Sequence, residues 1–386
     1  MQNYIEREIT PVLKTLATQY PIVTITGPRQ SGKSTLLKNQ FPGYTYLSLE
    51  NPDIRDQALD DPHGFLAKYP DKVIIDEIQR APKILSYLQT HVDNENKEGM
   101  YLLSGSQSFL MMHGLTQSLA GRTALFTLLP FSRSELFQAH KLPETLDEVI
   151  YKGLYPRLYN HHIDPRHYYP AYIQTYVERD VRDVLKVTDL GKFIKFIRLC
   201  AGRIGQILNL TSLANETGIT STTAEGWLSV LEASYICYRL QPYFKNFNKR
   251  IIKSPKLYFY DTGLACSLLG LNHQEQVGDF YMRGALFENL VINQFIKDSY
   301  NEGVRPDIAY WRDSTGNEID LIVTKGLNVS AYEIKSGATP NLDFFKTLNK
   351  WGTIAGLPVE NLNVIYAGNE NWKTKYGNLI SFPHTF

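Results

Sequence analysis

Residues Gly27-Pro28-Arg29-Gln30-Ser31-Gly32-Lys33-Ser34-Thr35 decide how this chain is read. They satisfy the pattern GxxxxGK[ST] in full. An apolar run, PIVTITG (Pro21 to Gly27), precedes them, and a helical run, LLKNQF (Leu36 to Phe41), follows. Strand, glycine-bearing turn and helix in that order let backbone N–H groups converge on phosphate oxygens as an anion nest. The positive end of the helix adds to the attraction. Gly27 and Gly32 permit the backbone path. Lys33 is expected to reach the β- and γ-phosphates of ATP as a point charge, and the Ser34 hydroxyl to ligate Mg²⁺. Pro28, Gln30, Ser31 and Thr35 complete the loop, and Arg29 is a candidate to touch phosphate or a neighbouring subunit. The competing reading is a strand-to-helix turn with no ligand.

Working outward, four more runs are nearly continuous in apolar residues: Tyr44 to Leu49, Lys72 to Asp76, Tyr101 to Gly105 and Thr123 to Leu128. Such runs suit strands covered on both faces, as in a parallel sheet, and the helical patterns between them suggest βαβ units. The Lys72 run ends in Asp76 and Glu77. Beside a phosphate loop, Asp76 is expected to hold the Mg²⁺ shell and Glu77 to orient or deprotonate the attacking water. A solvated strand end is the bland alternative. The Tyr101 run ends in hydroxyls, and either Ser104 or Ser106 is placed to sense the γ-phosphate or the water. Arg122 is a candidate to stabilise phosphate charge, with a plain surface arginine as the alternative.

GPRQSGKST, KVIIDEIQRAP, LLSGSQSFLM and LPFSRSELF together resemble the prokaryotic AAA-type ATPases called archaeal-ATPase-like. The resemblance continues through YVERDVRDV, KSPKLYFYDTGLACSLLG, GALFENLV, YWRDSTGNEIDLIV and YEIKSG, nearly the whole chain. It implies ATP binding and hydrolysis, and a C-terminal domain of unassigned function.

The 386 residues allow two or three domains. The pattern favours three: an AAA-like ATPase part (1–140), a helical lid and winged-helix-like region (141–275), and an α/β part resembling restriction-endonuclease-like nucleases (276–386). The expected fold class is therefore α/β, led by the parallel sheet of a P-loop NTPase. In the middle part, Thr211 to Gly218 followed by Ile219 to Glu232 reads as helix, turn, helix. Gly218 suits the left-handed cap between the two, and Thr220 or Ser221 suits the cap of the second. That second helix carries no Lys or Arg, which weakens a base-reading role. The basic stretch behind it, with Lys245, Lys249, Arg250, Lys253 and Lys256, is the candidate DNA phosphate contact. Docking on a protein partner is the alternative.

In the last part, Glu318 and Asp320 share one face of a strand, and Glu333 and Lys335 share a face of another. With Glu288 upstream, the order Glu288, Asp320, Glu333, Lys335 resembles a nuclease core that binds a metal. An active nuclease, an inactive relative keeping a Glu–Lys pair, and an unrelated α/β domain all remain open.

Composition sets the outer limits. Lys plus Arg is 40 against 39 for Asp plus Glu, which excludes a globally basic nucleic-acid coat but no local patch. Three widely spaced cysteines, Cys200, Cys237 and Cys266, argue against a disulfide framework or a thiolate zinc site and fit a reducing compartment. With no apolar leader and no apolar run of ~20 residues, a cytoplasmic protein without a membrane span is expected, with homo-oligomerisation open.

Overall fold

The computed structural model describes residues 4–106, 119–176, 189–243 and 252–385. The five apolar runs become β1 (Ile22–Thr26), β2 (Thr45–Ser48), β3 (Val73–Asp76), β4 (Tyr101–Gly105) and β5 (Thr123–Thr127). They form one parallel sheet in the order β2-β3-β4-β1-β5. Every residue of β1, β3 and β4 is buried, as runs without alternation require. Period two then sorts them between two layers. Val23, Ile25, Ile74 and Leu102 pack with Leu36 and Leu37 of the helix Lys33–Gln40. Val73, Ile75 and Leu103 pack on the other face with Leu85, Leu88 and Val92 of the helix Ile84–Glu95. β5 is the edge strand, and its Leu125 is 41% exposed. Because β1 lies between β4 and β5, the phosphate loop leaves the interior of the sheet at its C-terminal end, where ligands of parallel α/β sheets gather.

In the middle part the helices Leu210–Thr217 and Ser221–Ala233 are joined through Gly218, which takes φ 78° and so accepts the left-handed cap. Asn209 accepts from the Ser212 N–H, and Thr220 accepts from the Thr223 N–H, each satisfying an orphan donor of its helix. Trp227 meets Phe193 and Phe196 edge-on at 5.2 and 5.4 Å, pinning the pair against the helix Leu190–Ala201. An antiparallel ribbon of β6 (Cys237–Leu240) and β7 (Lys256–Phe259) follows.

The last part is a mixed six-stranded sheet, in the order β12-β13-β11-β10-β9-β8. Its strands are β8 (Ile308–Arg312), β9 (Glu318–Lys325), β10 (Asn328–Lys335), β11 (Leu362–Tyr366), β12 (Trp372–Thr374) and β13 (Gly377–Ser381). The helix Phe345–Ala355 packs one face through Leu348 and Trp351. The long helix Arg283–Asn301 joins the last part to the middle one in a single core that reaches from Ile5 to Phe382. Arg133, buried just after the first sheet, donates to the Phe382 carbonyl at 2.8 Å and stacks 4.5 Å from the Phe382 ring. Among the described residues no helix is long and apolar enough to cross a membrane.

Candidate active site

The loop after β1 has the backbone that the sequence pattern requires. Gly27 takes φ 146°, and a Cβ there would stand 2.2 Å from the Leu128 carbonyl oxygen. Gly32 takes φ 96° as the N-cap of the helix Lys33–Gln40. Between them Gln30 holds φ 62°, a left-handed conformation that costs a non-glycine residue about 1 kcal/mol or more and concentrates at functional sites. The Ser31 hydroxyl is buried without a hydrogen-bond partner. Lys33 is 5% exposed, and its Nζ donates to the carbonyls of Gly27 at 3.0 Å and Pro28 at 2.7 Å. Burial lowers its pKa to about 8, against the opposing pull of Glu77 and then Asp76. At neutral pH an ammonium therefore stands inside a glycine-hinged cradle, a donor set that fits a phosphate chain.

Asp76 ends β3 and collects three hydroxyls. Ser34 Oγ donates to its Oδ2 at 2.7 Å, Tyr46 OH to the same oxygen at 2.6 Å, and Ser104 Oγ to Oδ1. Glu77 follows at φ 57°, so the chain turns as soon as the strand stops. Its Oε2 accepts from Gln79 Nε2 and, at 3.3 Å, from Ser106 Oγ. Burial raises the Glu77 pKa, with Lys33 opposing. The two serines of the third strand are thus divided, Ser104 on the first carboxylate and Ser106 on the second. Loop and carboxylates open on one cleft of about 390 Å³, whose far wall carries Arg157 and His161. Thr35 and Gln30 also line it.

Two arginines stand differently. The Arg29 guanidinium lies 5.5 Å from the Tyr176 ring. The Arg122 carbonyl receives the N–H of Ile22, the first residue of β1, whereas the phosphate loop follows the last. A five-residue strand at ~3.3 Å per residue separates the two ends by roughly 15 Å. Arg122 forks instead onto Asp93, at 2.6 and 2.8 Å. The expectation that it serves phosphate in its own chain is corrected by this placement. Tyr46, Gln79, Arg157 and Arg7 are site neighbours that sequence reasoning missed. The alternation of Thr45–Ser48 held a signal for Tyr46, but only the register of Ser48 against Asp76 turns it into a contact.

The C-terminal acids do gather, but around lysines. Glu288 Oε1 accepts from Lys256 Nζ at 3.1 Å and from Tyr258 OH. Lys256 also pairs with Glu318, which Arg312 holds at 2.9 Å. Asp320 Oδ2 accepts the Ile334 N–H at 2.8 Å, and Lys335 pairs with Glu333. Burial raises Glu288 to about 7 and Glu333 to about 8, and lifts Asp320 as well. Among the described residues no group of three or more His, Cys, Asp or Glu is arranged to hold a metal ion. Within the possible metal set of Glu288, Asp320 and Glu333, Lys256 pairs with Glu288 and Lys335 with Glu333. The same contact removes Lys256 from the basic DNA patch, because it is 1% exposed. Lys253 is exposed, while Lys245, Lys249 and Arg250 lie outside the described residues. Lys256→Met should destabilise the fold by about 3–5 kcal/mol, the cost of stranding a buried charge. Urea unfolding would measure it, and adding Glu288→Gln should recover most of the loss.

Comparison with known proteins agrees with the first sheet. Residues 19–137 match the model of a family described as an AAA domain. Residues 143–275 and 283–385 match two families described as domains of unknown function, DUF8612 and DUF4143. Two uncharacterized mycobacterial proteins, Mb2031c of Mycobacterium bovis and Rv2008c of Mycobacterium tuberculosis, are each 28% identical over 358 residues. Those matches cover 91% of this chain and 78% of each relative. Among solved structures, the Walker-type ATPase paby2304 of Pyrococcus abyssi is similar with a TM-score of 0.44 and 14% identity, over 69% of this chain and 96% of its own. Fold, loop and family model together place an AAA-type P-loop domain over residues 19–137. The C-terminal residues 283–385 belong to no domain of known function among these matches.

Proposed function

We propose that the protein is a Mg²⁺-dependent ATPase that works as a cytoplasmic switch, with parts near 1–140, 141–275 and 276–386. One observation carries the reading: Ser34 Oγ and Asp76 Oδ2 already share a hydrogen bond at 2.7 Å beside a buried lysine. A hydroxyl and a carboxylate are the hard oxygen donors that Mg²⁺ takes alongside nucleotide phosphates. Ser34 and Asp76 would hold the ion, which supplies charge neutralisation at the phosphates. Lys33 binds the phosphate chain, Gln79 and Ser106 steer Glu77, and Glu77 orients the attacking water. Turnover of ATP by the purified chain, lost on chelation of Mg²⁺, is the expected result; turnover that ignores chelation would overturn the metal assignment.

A switch needs a path out of the site. Thr26, the residue before Gly27, bonds through Oγ1 to the Tyr235 hydroxyl at 2.9 Å. Tyr176, beneath Arg29, donates to the Ser234 carbonyl at 3.2 Å. Ser234 and Tyr235 close the second helix of the helix–turn–helix pair. The strand leading into the loop therefore bonds to the C-terminal end of the second helix directly, and Arg29 of the loop reaches it through Tyr176.

A protein partner fits this helix better than DNA does. Its neighbouring Arg239 is neutralised by Glu225 at 2.8 Å and Glu232 at 2.6 Å. The remaining basic stretch tests the alternative: if it grips DNA, affinity falls steeply with salt, and Lys253→Ala lowers that slope by ~1. A salt-insensitive or undetectable interaction favours the protein partner. For the last domain, the lysine-filled carboxylate cluster supports a nuclease-like fold without metal-dependent cleavage.

A further inference from the structure

Arg7 lies outside every motif, yet its guanidinium is 4% exposed and bonded on all sides. Nη1 donates to the Ser31 carbonyl at 2.9 Å, Nη2 to the Leu129 carbonyl at 2.7 Å, and Nε to Glu135 Oε1 at 2.9 Å. The Phe131 ring centroid lies 4.9 Å from it. Glu135 is fixed in turn: it accepts the N–H of Ser132 in a capping box and the N–H of Glu8, each at 2.9 Å. The guanidinium thus has one position.

Ser31 and Gly32 share the peptide that matters. A trans peptide is planar, with its C=O and the next N–H pointing opposite ways. Arg7 draws the Ser31 carbonyl toward the buried side, so the Gly32 N–H is turned from it, and Gly32 lines the cleft. Next to a glycine at φ 96°, that peptide is free to flip unless something holds it. A flip exchanges an N–H for a carbonyl oxygen and turns a phosphate donor into a repulsive acceptor.

We propose that Arg7 is a positioning residue for ATP binding, locking the Ser31–Gly32 peptide so that the Gly32 N–H faces the phosphate chain. The assignment rests on the nucleotide reading of the cleft. Arg7→Lys keeps the charge opposite Glu135, but an ammonium on a shorter reach does not hold both carbonyls. It should weaken ATP, ADP and tripolyphosphate alike by about tenfold to a hundredfold. KM should rise by the same factor, with kcat at saturating ATP within twofold and the melting temperature close to wild type. Should that variant fail to fold, Arg7→Gln with Glu135→Gln leaves no buried charge unpaired and carries the same expectation. Wild-type affinity in a folded variant, or a fall in kcat at constant KM, overturns the assignment alone. A wild-type protein that binds neither ATP nor tripolyphosphate overturns the nucleotide reading with it.

Discussion

Lys33→Ala should weaken ATP binding by about 2–5 kcal/mol, which is roughly thirtyfold at the lower bound. The ammonium is 5% exposed and sits on two loop carbonyls, so phosphate oxygens reaching the loop meet a fixed charge with little water around it. Two effects compete in this variant. Removing a buried ammonium relieves a desolvation cost, visible in the pKa lowered to about 8. It also strands Asp76 and Glu77 without the cation that partly offsets them, and nucleotide phosphates then add to the same negative field. In the free protein these two effects oppose each other, whereas the phosphate repulsion acts only in the complex, so affinity falls more than stability. Titration calorimetry with ATP and Mg²⁺ reads the loss directly. An alanine variant that binds like wild type would remove the basis for the whole site.

Glu77→Gln should separate chemistry from binding. A group that orients or deprotonates water contributes ~10²–10⁴-fold to turnover. The amide keeps the shape of the side chain and an oxygen for Gln79 and Ser106, but it accepts a proton poorly. A fall of that size in kcat is expected, with ATP affinity within about threefold of wild type. Single-turnover hydrolysis beside equilibrium binding distinguishes the two. Equal losses in both measurements would refute the role given to Glu77, because binding alone needs no base.

Much of this was legible in the chain. Unbroken apolar runs announced buried parallel strands, and the spacing from Gly27 to Ser34 named the loop. Asp76 and Glu77 were legible because a covered strand gains nothing by ending in acids. Gly218 and Thr220 marked a helical junction by their backbone and capping preferences alone. What escaped depended on long-range register. Lys256 looked like one cation of a basic stretch, and only the packing of β7 against the helix Arg283–Asn301 makes it the partner of Glu288. Arg122 was a candidate to stabilise phosphate charge, but a parallel strand carries its start away from the ligand end. Arg7 carried no signal at all, since it lies in no motif itself and only the fold brings it to Ser31 of the loop and to Leu129 and Glu135.

The bond from Arg133 to the Phe382 carbonyl has a consequence for how the chain is made. A ribosome delivers all five strands β1 to β5 long before Phe382 emerges. Yet a guanidinium 4% exposed in the finished fold has its carbonyl partner in the last helix. The segment Ser132–Glu135, which also anchors Arg7 and through it the phosphate loop, therefore waits for Phe382 to emerge. A nascent chain stalled short of Phe382 keeps its nucleotide loop on an unfinished foundation.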